Sequence, residues 1–160
     1  MQDAYIAIGR AVMAAQSFET AMVPIFEIFK VYTDLDYSVR TGGIIPDGAF
    51  KVPLRNILKE LTKRGGIAPE LEGAIDAFIE DRHTLIHRCI QTYGCPRDGD
   101  AEGFAPIIEL AHRVEKTAKQ LIQTIVGHVL KYGEPEWAAA NPDESKARLA
   151  DIFRNAGLKE

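Results

Sequence analysis

The chain has 160 residues, 46% hydrophobic and 26% charged, with a net charge of −4, which suits one soluble domain with a sizeable core. No apolar run approaches the ~20 residues of a membrane-spanning helix, and an N-terminus with Asp3 in an amphipathic segment lacks the plan of a signal peptide, so the cytoplasm is the expected compartment. The acidic balance argues against wrapping duplex nucleic acid by charge alone, although a small arginine-bearing cleft is compatible with it.

The spacing predicts a first helix from about Asp3 to Tyr32, bent near Pro24. Its apolar residues Ile8, Val12, Ala15, Met22, Phe26 and Phe29 step by threes and fours, and Glu19 fills the missing slot. Residues 33–52 carry Thr41-Gly42-Gly43 and Pro46-Asp47-Gly48 and read as a long connection with irregular or short extended structure. A second helix opens at Pro53, carries Leu54, Ile57, Leu58 and Leu61, and stops at Gly65-Gly66. The third begins near Pro69 and ends before Tyr93-Gly94-Cys95-Pro96. Its stripe is Leu71, Ile75, Phe78, Leu85, Cys89 and Tyr93, and Arg82 sits in the one gap.

A fourth helix, about Ala105 to Tyr132, has the cleanest stripe: Ile107, Ala111, Val114, Ala118, Leu121, Ile125 and Val129. A last short helix opens at Asn141 with Glu144 completing a capping box, and carries Leu149, Ile152 and Phe153. Trp137 is expected to pack this segment onto the bundle. The expectation is an all-α, four- to five-helix up-and-down bundle with a long loop after helix one. It forms one domain, with a core at about 4–132 and a C-terminal capping segment at about 133–160.

Arginine is almost never fully buried without a partner, because an isolated charge in the interior costs several kcal/mol. Two helices each yield a core position to a charge, and the charges are opposite. Glu19 and Arg82 are therefore expected to meet as a buried or cleft-edge ion pair, either architectural or held for use. On a helical wheel with Arg82 at zero, His83 falls near ~100° and His87 near ~140°, along one margin of the apolar face. A neutral imidazole can accept a proton, and a guanidinium can hold a phosphate-centred transition state. Cys89 reads as a core residue and Cys95 as a loop residue. Two cysteines cannot build a four-thiolate metal site, and neither a metal nor a cofactor is expected.

The segment Arg82-His83-Thr84-Leu85-Ile86-His87, with its Leu-Ile-His-Arg ending, resembles the hallmark of the HEPN superfamily (higher eukaryotes and prokaryotes nucleotide-binding): arginine, a polar residue, three residues, histidine. The stretch from Ile8-Gly9-Arg10 to Phe18-Glu19 is similar to that family's first helix, and the resemblance spans roughly residues 4–132. It implies a HEPN-like fold and a metal-independent endoribonuclease of toxin or stress-defence type, needing no cofactor, in which two subunits form one composite cleft. In that reading His87 takes part in acid–base transfer, Arg82 holds the scissile phosphate, His83 supports or orients them, Glu19 steadies Arg82 and Arg88 contributes to substrate binding. The implied partners are a second copy of the chain, RNA, and an antitoxin or nucleotidyltransferase-like protein. A non-catalytic dimerisation or partner-binding module built on the same helices is the alternative. A third reading, His83 and His87 as a metal pair, finds Thr84 where the metalloprotease pattern has glutamate, and no third ligand nearby.

Overall fold

In the computed structural model, which describes residues 2–42, 45–64, 67–133, 140–144 and 147, helix is the only regular structure among the described residues. The protein is an all-α helical bundle. The chain forms two compact units, Met1–Ala118 and Lys119–Glu160.

The first unit is built on α1 (Gln2–Thr33), which runs through Pro24. Its buried face is Ala4, Ala7, Ala11, Ala15, Phe18, Met22 and Phe26. This corrects the expected stripe, because Ile8, Val12 and Phe29 are only half-buried. Alanine lets neighbouring backbones approach closely, so the inward line follows small residues and the larger aliphatics flank it. Phe18 is thus the core residue, and Glu19 stands at its border.

The connection after α1 is helical where irregular or extended structure was expected. Asp34 caps α2 (Leu35–Thr41) by accepting a hydrogen bond from the Tyr37 amide at 3.0 Å, and Gly42 ends it at φ 61°, a left-handed position that suits glycine. No residue of α2 is buried; Leu35 and Val39 point outward at 79% and 78% exposure. What holds the helix is Tyr37, whose hydroxyl donates to Glu27 and accepts from Lys30 at 3.0 Å. Glu27 is 3% exposed and also ion-paired with Lys30, whose ammonium lies 4.4 Å from the Tyr37 ring centroid. A 3₁₀ turn at Asp47–Lys51 follows.

α3 (Leu54–Lys63) buries Leu54, Ile57, Leu58 and Leu61, the four residues its spacing selects. It packs against α1 and against α4 (Pro69–His83). Helical backbone continues from α4 through a π-turn at Thr84–Arg88 into α5 (Cys89–Tyr93). α6 (Ala101–Gly133) starts earlier than its apolar rhythm suggests, because the Asp100 carboxylate caps it by accepting from the Gly103 amide at 2.8 Å. Its buried residues up to Ala118 are Ile107, Leu110, Ala111, Val114 and Ala118 itself.

In the second unit α6 continues with Leu121, Ile122, Ile125 and Val126 buried. Residues 142–144 and 147 are helical. Trp137, Leu149, Ile152, Phe153 and the Gly65-Gly66 stop lie outside the described residues. No helix among the described residues is long and apolar enough to cross a membrane.

Candidate functional site

The site grows from the seam between α1 and α4. Phe18 and Phe78, both fully buried, meet edge to face with ring centroids 5.1 Å apart at 86°. One residue further along α1 and one turn further along α4, Glu19 and Arg82 come together. Arg82 Nε lies 3.0 Å from Glu19 Oε1, and Arg82 Nη2 donates to Glu19 Oε2 at 3.4 Å. The enclosed Nε–H nevertheless aligns with no acceptor, so its short approach to Glu19 is a charge contact and not a directed hydrogen bond. The side chains are 30% and 31% exposed. That exposure rules out the fully buried setting: the pair sits part-exposed at the border of the seam, where desolvation costs far less than in the interior.

Two further pairs flank Arg82. Asp81 takes a two-pronged contact from Arg113 on α6, Nε to Oδ2 at 2.6 Å and Nη2 to Oδ1 at 3.0 Å. The Asp81 hydrogen bond raises the Arg113 pKa above its ordinary value, outweighing the effect of burial, and the negative charges of Asp81 and Glu109 act in the same direction. Glu80 accepts from Arg55 on α3, which holds its carboxyl below the usual range; His83 and Arg88 lower it further. Sequence reasoning missed both pairs. A signal for them existed: Glu80, Asp81 and Arg82 are three consecutive charges, and ~100° steps aim them in three directions.

Immediately after these pairs the helix changes its hydrogen-bond register. A π-turn bonds i to i+5, so each residue advances less around the axis than in an α-helix, and wheel positions beyond Thr84 lag the expected ones. Arg88 closes the turn at φ −120°, ψ 5°. The apolar stripe ends here: Leu85 is buried, but Cys89, expected in the core, is only half-buried, and Ile90 is 68% exposed. The half-burial still pushes the Cys89 thiol up from its ordinary pKa. Cys95 is exposed.

The two imidazoles stand together, with the His83 and His87 ring centroids 5.0 Å apart and the planes tilted by 45°. His83 is half-buried; His87 and Arg88 are exposed. Ile86 and Ile90, one turn apart, are also exposed beside His87. Among the described residues, no three histidine, cysteine or acidic side chains gather as a metal-binding set. Both His112 and the basic residues Lys59 and Lys63 are exposed; Arg64 is engaged by Glu60 at 3.5 Å and by Asp34 at 4.0 Å. A groove of about 600 Å³ between α3 and α4, lined by Arg55, Lys59, Glu72, Asp76 and Glu80 among others, includes neither Arg82 nor either imidazole.

The arrangement offers a fixed guanidinium, two adjacent proton-transfer groups and an exposed apolar pair around them. No protein-family model, curated protein or solved structure matches the chain.

Proposed function

We propose that this protein is a HEPN-like, metal-independent endoribonuclease of toxin or stress-defence type, acting as a homodimer. The observation that carries the reading is the His83–His87 imidazole pair at 5.0 Å, on the turn that follows Arg82. In RNA cleavage of this kind the 2′-oxygen bonds to the adjacent phosphorus as His87 takes its proton. The phosphorus–O5′ bond breaks, and an imidazolium of the cleft returns a proton to the leaving oxygen. Arg82 neutralises the charge that develops on the phosphoryl oxygens, and Arg88 holds the strand alongside. His83 keeps the His87 ring oriented, and Glu19 steadies the guanidinium. Exposed Ile86 and Ile90 supply an apolar surface on which two copies bring their motifs into one cleft.

The test is direct. Purified protein is incubated with single-stranded RNA and a chelator, and the products are examined for 2′,3′-cyclic phosphate and 5′-hydroxyl ends. Cleavage that disappears in His87→Ala with the helical content unchanged is the expected result. Intact RNA with the wild-type protein refutes the reading.

One observation favours a second reading. Glu19 already occupies much of the Arg82 charge, as suits a non-catalytic dimerisation module that binds an antitoxin or nucleotidyltransferase-like protein. Under that reading the purified chain is dimeric in solution, RNA stays whole, and Ile90→Glu abolishes the dimer.

A further inference from the structure

Three consecutive residues at the end of α4 are each tied to a different helix. Glu80 reaches Arg55 on α3, Asp81 reaches Arg113 on α6, and Arg82 reaches Glu19 on α1. A helix held at one point can still turn about its axis; one held on three sides at the same height cannot turn without breaking a pair. The next residues are His83 and the π-turn, so a rotation of this helix end would swing both rings together and change the direction in which the pair faces. Of the outer two ties, Asp81–Arg113 has the stricter geometry. Its two parallel contacts define an orientation as well as a distance, whereas Arg55 and Glu80 share one contact, and Glu80 is more exposed than Asp81.

We infer that Asp81 and Arg113 are positioning residues for the imidazole pair, setting the rotation of the α4 end from which His83 and His87 project. The role assigned to those imidazoles rests on the ribonuclease reading; the orientation itself does not. Neither residue touches substrate. Their loss leaves binding in place and misaligns proton transfer, which lowers kcat more than it alters KM.

The experiment uses the full chain with isotope-labelled histidine. Imidazole resonances are followed by NMR through a pH titration in wild type, Asp81→Asn, Arg113→Gln and Arg113→Lys, with assignments from His83→Gln and His87→Gln. RNA cleavage kinetics are measured on the same samples. Asp81→Asn and Arg113→Gln are expected to move the resonances of both His83 and His87. The same variants should lower kcat by about 10- to 100-fold with little change in KM, and Arg113→Lys, which keeps the charge, should recover part of both. A lowered melting temperature with both imidazole signals and their titrations as in wild type overturns the inference, because it leaves the clamp a purely architectural part. If Asp81→Asn does not fold, Arg113→Lys decides by the same readout. If the wild-type protein cleaves no RNA, the ribonuclease reading falls alone and the resonances still decide the positioning role.

Discussion

The Glu19–Arg82 pair can be asked whether it exists for the fold or for use. In Glu19→Gln the Arg82 guanidinium keeps its place on the seam but loses its countercharge, with Nε already unmatched and enclosed. A fully buried pair broken on one side costs about 3–5 kcal/mol, and an exposed one about 0–1 kcal/mol. At roughly one-third exposure for both partners, the expected cost is about 1–2 kcal/mol. For a chain of this length that lowers the melting temperature by about 2–8 °C. The informative variant is the double substitution Glu19→Met with Arg82→Met. It removes both charges and fills the seam beside Phe18 and Phe78 with apolar side chains, so the fold should come within about 1 kcal/mol of wild type or exceed it. Chemical denaturation followed by circular dichroism measures all four corners of the cycle. A double variant as costly as the two single losses added together refutes the reasoning, since it makes the pair an indispensable strut. Stability regained with RNA cleavage abolished marks a pair retained for chemistry.

Phe78→Ala removes the fully buried partner of Phe18, and denaturation should show a loss of about 3–5 kcal/mol. Tyr37→Phe deprives the enclosed Glu27 carboxylate of a donor and should cost about 1–3 kcal/mol. Burial disfavours the Lys30 ammonium, but hydrogen bonds to Glu27 and Tyr37 outweigh it and raise its pKa from 10.5. A raised pKa places its stabilisation fully below the unfolded value and removes it as pH climbs through the folded one. The stability gap between wild type and Lys30→Met should therefore hold steady from neutral pH up to 10.5 and close only above it; a gap that already closes near neutrality contradicts this. Because burial raises the Cys89 thiol, less of it is thiolate at neutral pH, and mass spectrometry after brief alkylation should find Cys95 labelled first.

How far the sequence was legible depends on what each element asked of it. The buried face of α3 was readable to the residue because one apolar line describes it, although Pro53 stands just outside the helix as its N-cap where it was expected to open it. On α1 the expected stripe holds at Ala15, Met22 and Phe26 but is misplaced at Ile8 and Val12, where packing follows the alanines instead of hydropathy. α2 was invisible: Leu35 and Val39 face solvent, and Tyr37 ties it to α1 through its hydroxyl and ring rather than through a buried apolar side chain. Arg82 and Glu19 stood out because a charge interrupts a hydrophobic rhythm on each helix. Asp81 and Arg113 broke no rhythm, and their pairing joins residues far apart in the chain that only the fold brings together. The π-turn left no mark either, because backbone hydrogen-bond register is not written in side-chain pattern.

α2 is fastened to the rest of the protein chiefly by one phenol, with nothing of its own sunk into the interior. A segment moored so lightly can be released by a single altered side chain while the helices behind it keep their packing. Loss or reshaping of this outer turn would deprive Glu27 of its phenolic donor while leaving the seam of Phe18 and Phe78 intact.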